Sequence, residues 1–425
     1  MNLCRRARVL GAARASALIG ALVEALVGAL AGAAPARAEV AVIFEADLRA
    51  ETAAGRFDPA RDGVGLRGGC APLSWQRGLP MAPTAEGRYT LTLRLATTAC
   101  NGQPLQHKFR IERPGQGNDE GWEPGRNHAA LLDLPGPLRI ARVFGVEAAP
   151  PPSRITGTVL MLDPVPTTHV AARPVWVWLP PGYEQEPTRR YPVLYLHDGQ
   201  NVFDARDSGA EWQVDETAQR LVLAGAVAPF IVVAVPSGRD RISELAPTAS
   251  TLSPERAGQP QPLRAGGQIA AYARFLIDDL KPAIDARFRT RVGPESTAVG
   301  GSSVGGLAAL WLALHRGSTF GAALVVSPAV WWDDEFARRD VAAWAGGGAR
   351  PRLWLDVGTE EGEGALPAVR RLRDALLARG WSSPDTLAYT EAPDARHDEV
   401  SWAARVEGML RFLHGTASPA ALPSR

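Results

Sequence analysis

The sequence predicts an α/β protein whose mainly parallel sheet is covered by helices, preceded by an all-β sandwich. Three observations predict it. First, beyond residue 155, short runs apolar on both faces alternate with stretches of helical period. Second, residues 39–147 hold runs of period-two alternation separated by Gly, Pro and Asn, with no long helical pattern. Third, Pro150-Pro151-Pro152 lies between these regions and suits a stiff linker over residues 148–154.

In chain order, residues 1–38 come first. Arg5, Arg6 and Arg8 form a basic start, and residues 15–34 are rich in Ala, Leu and Gly. Ala36-Arg37-Ala38 follows, a small-x-small cleavage pattern. This reads as an export signal, so the mature protein is expected to be periplasmic or secreted, with no membrane span after cleavage. Of three cysteines, Cys4 would leave with the signal. Cys70 and Cys100 remain as a pair in an oxidising compartment, where they are expected to form a disulfide. Such a bridge stabilises by roughly 3–4 kcal/mol in the chain-entropy account.

In the sandwich, residues 40–44 are apolar and β-prone, while residues 89–95 and 108–111 alternate as half-buried strands should. After the linker, residues 155–418 form the α/β domain. Its strand candidates are residues 175–179, 193–196, 230–235, 297–300, 322–326 and 353–357, with a further one at 386–391. The helix candidates are residues 213–223, 268–287, 304–315, 365–379 and 399–413. Lys and Arg (46) nearly cancel Asp and Glu (45), leaving +1. That balance argues against nucleic acid or an anionic membrane surface as a partner and points to neutral substrates. No CxxC or Cys/His cluster suggests a metal, and nothing calls for a cofactor.

Gly301-Ser302-Ser303-Val304-Gly305 matches G-x-S-x-G. A β-prone stretch leads into it and an apolar helix leads out, the context of a nucleophile elbow in the α/β-hydrolase fold. The glycines matter because the turn strains Ser303, and neighbours bearing a Cβ would collide. Ser303 would sit at a helix N-terminus, where backbone N–H groups can hold an oxyanion. A P-loop fails because Leu307 follows Gly306, and a dinucleotide fingerprint fails because Gly301 is followed by Ser302.

A serine hydroxyl needs a base. In this fold the order along the chain is Ser, acid, His, and only His397 and His414 follow the serine. His397 lies in a loop beyond a strand, whereas His414 ends the last helix, so His397 is the expected base. The acid should follow the strand at 353–357. Glu361 and Glu360 in the turn beyond it both qualify, with Asp356 third, and spacing alone does not separate the glutamates. For the oxyanion hole, one N–H should come from Val304. The other should come from Gly199 or Gln200, in the loop that begins at His197-Asp198.

These residues together resemble the esterase family that includes enterochelin esterases, feruloyl esterases, S-formylglutathione hydrolases and mycolyltransferases. The resemblance runs from about Arg173 to Leu413. It rests on Leu179-Pro180-Pro181-Gly182-Tyr183, the segment from Tyr191 to Asp204, the elbow with Gly305-Gly306, Ser327-Pro328, and Gly358-Thr359-Glu360-Glu361. His397-Asp398-Glu399 with Trp402 completes it. The family places its acid at the fourth position of the Gly-Thr-x-acid turn, which implies Glu361. The resemblance is closest to the enterochelin-esterase-like branch, and that branch does not fix a substrate.

The N-terminal region more faintly resembles starch-binding sandwich modules, through Leu73-Ser74-Trp75, Lys108-Phe109 and Gly121-Trp122-Glu123-Pro124. The resemblance implies that Trp122 would stack on a sugar and Lys108 would lie nearby, giving a glycan as a second partner. The leading expectation is an exported serine esterase acting on a small-molecule or carbohydrate ester through Ser303, His397 and Glu361. The alternatives are an acyltransferase on the same residues and a catalytically inert carbohydrate-binding surface protein. Trp331-Trp332 and residues 246–267 are the expected pocket walls.

Overall fold

The computed structural model describes residues 39–416 apart from 85–86, 98, 101–103, 118–119, 133–136, 147–152, 207–208, 254–260 and 347–348. The segment expected to be an export signal and most of the expected proline linker therefore lie outside the described residues.

The N-terminal region contains β1 (Glu39–Asp47), β2 (Gly63–Gly68), β3 (Leu79–Pro80), β4 (Ala82–Pro83), β5 (Arg88–Ala96), β6 (Leu105–Glu112), β7 (His128–Ala130) and β8 (Leu138–Val143). They form two four-stranded sheets, ordered β4-β5-β1-β8 and β3-β2-β6-β7. Alternation sets the inner face: Val40, Val42, Phe44 and Ala46 of β1 all turn inward. They join Leu66 of β2 and Phe109 of β6 in one core. Cys70 and Cys100, both buried, are joined by a disulfide.

The large sheet comprises β9 (Thr158–Leu162), β10 (Val175–Leu179), β11 (Val193–His197), β12 (Ile231–Val235), β15 (Thr297–Ser302), β16 (Ala322–Val326), β17 (Arg352–Gly358) and β18 (Leu387–Ala392). A short hairpin, β13 (Ala249–Leu252) and β14 (Leu263–Gly266), stands apart. The order across the large sheet is β9-β10-β12-β11-β15-β16-β17-β18. The six strands from β12 to β18 run parallel, and β10 and then β9 are added at one edge, each antiparallel to the strand before it.

Both faces of the sheet are covered, which explains the doubly apolar strands. Val193 and Tyr195 of β11 face one core, and Leu194 and Leu196 face the other. The first core includes the elbow helix Val304–His315 and the inner side of Ala365–Ala378. The second includes Val214, Ala218 and Leu221 of helix Val214–Leu223, with Met409 and Leu410 of helix Val406–His414. The segment 268–287 is helical with a π turn at Phe275–Leu280. The segment 399–413, expected as one helix, is two: Glu399–Ala403 and Val406–His414. The interruption contains Arg405, whose buried guanidinium reaches back beneath the sheet's edge to Asp356.

Candidate active site

Every parallel strand ends at the same edge of the sheet, and the candidate residues lie just beyond those ends. Ser303 follows β15. It has φ 58° and ψ −121°, a strained conformation for a residue with a Cβ, and it caps helix Val304–His315. Neighbouring main chain holds it: Ser303 N–H donates to Val326 O (3.0 Å), and Ala329 N–H donates to Ser303 O (2.9 Å). The tight turn leaves no room for side chains on either flank. A Cβ on Gly301 would lie 2.9 Å from the Gly305 carbonyl carbon, and one on Gly306 would lie 2.8 Å from Val326 O.

His397 follows β18, and the Gly358–Glu361 turn follows the adjacent β17. The two come together: His397 Nδ1 is 2.8 Å from Glu361 Oε2. Glu361 is buried in this pairing, whereas Glu360 points to solvent. The other Glu361 oxygen accepts from Gly358 N–H (2.6 Å) and from the Ser327 hydroxyl. Asp356 is committed elsewhere. It accepts from Trp354 Nε1 (2.7 Å), Arg405 Nε (3.1 Å) and Ser327 N–H (3.0 Å), and burial raises its pKa. The Ser327 hydroxyl links these groups. It accepts from Trp402 Nε1 (3.0 Å) and Arg405 Nη2 (2.9 Å) while donating to Glu361. The Trp402 ring meets the His397 imidazole edge-on at 5.2 Å.

The loop after β11 lies beside the elbow because β11 and β15 are neighbours. Asp198, at φ 56°, forms a bidentate pair with Arg241, with both contacts at 2.6 Å. His197 is buried beneath it with Nδ1 2.8 Å from the Tyr272 hydroxyl, and burial lowers its pKa to about 4. His197 and Asp198 thus brace the loop. Gly199 is required there, since a Cβ would lie 2.6 Å from backbone atoms of Ala234 and Val235. The Gln200 side chain exchanges hydrogen bonds with Ser237 (3.2 Å each), and Asn201 Nδ2 donates to Glu399 (2.9 Å), just beyond His397.

Two cavities flank this edge. One of about 380 Å³ is bordered by Pro328, Val330, Trp331, Ala365, Glu361 and His397. The other, about 360 Å³, is bordered by Gly199, Gln200, Phe203 and Trp176, with Arg126 contributed by the N-terminal region. Of the two expected wall tryptophans, Trp331 borders the first cavity. Trp332 is buried, its Nε1 donating to Thr248 O (3.2 Å).

The residues of the sugar-binding resemblance lie apart, on the N-terminal sheets. Trp122 is half-buried, with the guanidiniums of Arg67 and Arg110 5.4 and 5.7 Å from its ring, and Trp75 lies 6.1 Å away. Lys108 Nζ donates to Gly125 O (2.6 Å), and desolvation lowers its pKa. Among the described residues no group of three or more His, Cys, Asp or Glu is arranged to hold a metal ion. No helix of the described residues is long and apolar enough to cross a membrane.

Sequence reasoning missed the support beneath Glu361. Ser327 appeared only as part of a Ser-Pro motif, and nothing in one-dimensional spacing joins Asp356, Ser327, Trp402 and Arg405. The positive φ of Ser327 (41°) reflects a sharp turn that local composition did not announce.

The fold and the arrangement at the strand ends define an α/β hydrolase, and comparison with known proteins specifies it further. Residues 171–413 match the family model described as "Putative esterase". The chain belongs to this esterase family and is a carboxylic ester hydrolase. It is 22% identical over 246 residues to YbbA of Bacillus subtilis, covering 56% of this chain and 91% of that protein. It is 29% identical over 159 residues to the ferri-bacillibactin esterase BesA of the same organism, covering 35% of this chain and 52% of BesA. Among solved structures, the enterobactin esterase FES of Shigella flexneri matches with a TM-score of 0.55 at 16% identity, covering 83% of this chain and 88% of that one. At that identity the likeness shows the fold.

Proposed function

We propose that this protein cleaves its ester by nucleophilic catalysis, with Ser303 as nucleophile, His397 as base and Glu361 as the acid orienting it. The observation that carries the reading is the 2.8 Å contact between His397 Nδ1 and Glu361 Oε2. Because Glu361 accepts from Nδ1–H, Nε2 is left unprotonated and able to take the Ser303 proton as Oγ attacks the ester carbonyl. The negative charge that develops on the carbonyl oxygen is held by the N–H of Val304 at the helix start and by N–H groups of the Gly199–Gln200 turn. His397 then returns its proton to the departing alcohol, leaving an acyl-serine. Water, deprotonated by the same imidazole, hydrolyses that intermediate and restores the hydroxyl. Glu361 keeps its hydrogen bond to Nδ1 throughout and stabilises the imidazolium.

We assign the substrate to esters that carry an aromatic ring, including the siderophore type. What supports this is the naming of relatives as bacillibactin and enterobactin esterases, together with Trp331 beside His397 in a cavity able to take a planar ring. Export fits the basic start, the cleavage pattern at Ala36–Ala38 and a disulfide best maintained in an oxidising compartment.

The test is Ser303→Ala, assayed on a p-nitrophenyl ester and with a fluorophosphonate probe. Turnover and labelling should both vanish while the circular dichroism stays that of the parent. Hydrolysis persisting in that variant would remove the mechanism.

A further inference from the structure

We propose that the N-terminal β region is a positioning element of the catalytic site, acting on the His397 loop through Arg396. This rests on the reading of His397 as the base. Arg396 immediately precedes it, and its Nη1 donates to the carbonyls of Leu73 (3.2 Å) and Gly69 (3.4 Å), more than 300 residues away in sequence. Both carbonyls belong to the turn that contains Cys70, so the disulfide to Cys100 anchors the acceptor side. Leu73 is fully buried, and its N–H closes the turn on Cys70 O (2.8 Å). On the far side of the histidine, Val400 packs against the N-terminal core. His397 is thus bracketed by two contacts to the same region.

The imidazole needs this support because it has little of its own. Its side chain is 40% exposed, and its contacts are Glu361 and the edge of Trp402. The loop backbone is also held by the turn that follows β17: Glu360 N–H donates to Ala395 O (2.9 Å), and Asp394 N–H donates to Thr359 Oγ1 (2.8 Å). Arg396 completes the grip from the N-terminal side. A displacement of about 1 Å at a reacting group can cost on the order of a hundredfold in rate. Losing one of two clamps is therefore expected to lower turnover while leaving substrate binding intact. The pairing also explains why the β region remains against the hydrolase domain: it completes the geometry of the base.

The test compares Arg396→Ala, Arg396→Lys and the double variant Cys70→Ala/Cys100→Ala with the parent, in the full chain. Amide hydrogen exchange over residues 394–403 and the split of kcat from KM on a p-nitrophenyl ester are measured. Arg396→Ala should exchange faster in that segment and lose about tenfold in kcat, with KM within about twofold. Arg396→Lys should recover most of the loss, and the cysteine variant should loosen the same segment. Unchanged exchange and kcat in Arg396→Ala would overturn the proposal, as would a rise in KM alone. If the parent showed no Ser303-dependent turnover, the esterase mechanism would fail, while the exchange measurement would still decide whether the β region holds this loop.

Discussion

Replacing Glu361 by Gln tests the hydrogen-bond logic of the site at constant size. In the parent, Oε2 faces His397 Nδ1, while Oε1 accepts from Gly358 N–H and the Ser327 hydroxyl. A glutamine has one acceptor atom for these two places. If its oxygen stays with Gly358 N–H, which cannot rotate away, its NH₂ must face Nδ1. Nδ1 then has to accept, the ring proton moves to Nε2, and the imidazole can no longer take a proton from Ser303. The opposite orientation sets the NH₂ against the Gly358 N–H, leaving a donor facing a donor at a buried site. The first arrangement is favoured, and a wrong-tautomer base costs about 10⁴-fold in kcat elsewhere, or about 5.4 kcal/mol of barrier. Steady-state kinetics on a p-nitrophenyl ester at neutral pH should therefore show kcat reduced by roughly four orders of magnitude with KM nearly unchanged. Glu360→Gln, at an exposed position, should stay within about twofold. Retention of more than about a tenth of kcat in Glu361→Gln, or a collapse in Glu360→Gln, would refute the reasoning.

Arg405→Met should lower unfolding stability by about 3–5 kcal/mol in chemical denaturation, because it leaves Asp356 buried without its counter-charge. Gly199→Ala should cost about 1–3 kcal/mol, since its new Cβ meets the β12 backbone, and it should also reduce kcat by displacing the turn. Glu211 gives a pH dependence of known sign. Burial pushes its carboxyl up from 4.5 to about 8, so the folded chain keeps a proton that the unfolded chain releases. Stability from this group is full below pH 4.5 and is lost as pH rises toward 8, by roughly 1.4 kcal/mol per unit at most. Glu211→Gln should raise the melting temperature at pH 8 and change it little at pH 4.5; an equal effect at both would exclude the titration.

The strands were legible where both faces are buried. Residues 322–326 coincide with β16, because central parallel strands need apolar side chains at every position, and residues 175–179 coincide with β10, which is antiparallel but buried at four of its five positions. Edge strand β9 was not legible: it is partly exposed, and Met161 projects into solvent, so its sequence carries little pattern. The hairpin of β13 and β14 escaped for the same reason. Within the candidate site, Ser303 was readable because an elbow imposes glycines on its flanks, and His397 because chain order restricts the choice. Spacing narrowed the candidate acid to a turn and the family resemblance pointed to Glu361; the direction of its side chain toward His397 is a feature that spacing does not carry. Arg405 was invisible and Ser327 stood only in a motif without a role, since their importance arises from tertiary contacts with a strand about 50 and 30 residues away.

The backbone at Ser303 has one more implication. At φ 58° and ψ −121° a residue with a Cβ is destabilised by about 1–3 kcal/mol, whereas glycine would occupy that conformation freely and lose only about 0.5–1 kcal/mol in chain entropy. The fold by itself would thus favour glycine at the position proposed as the nucleophile, where glycine cannot react. Ser303→Gly is expected to yield a sturdier but inert protein, so any pressure acting on folding alone would erode the hydroxyl, and only the demand for turnover keeps it in place.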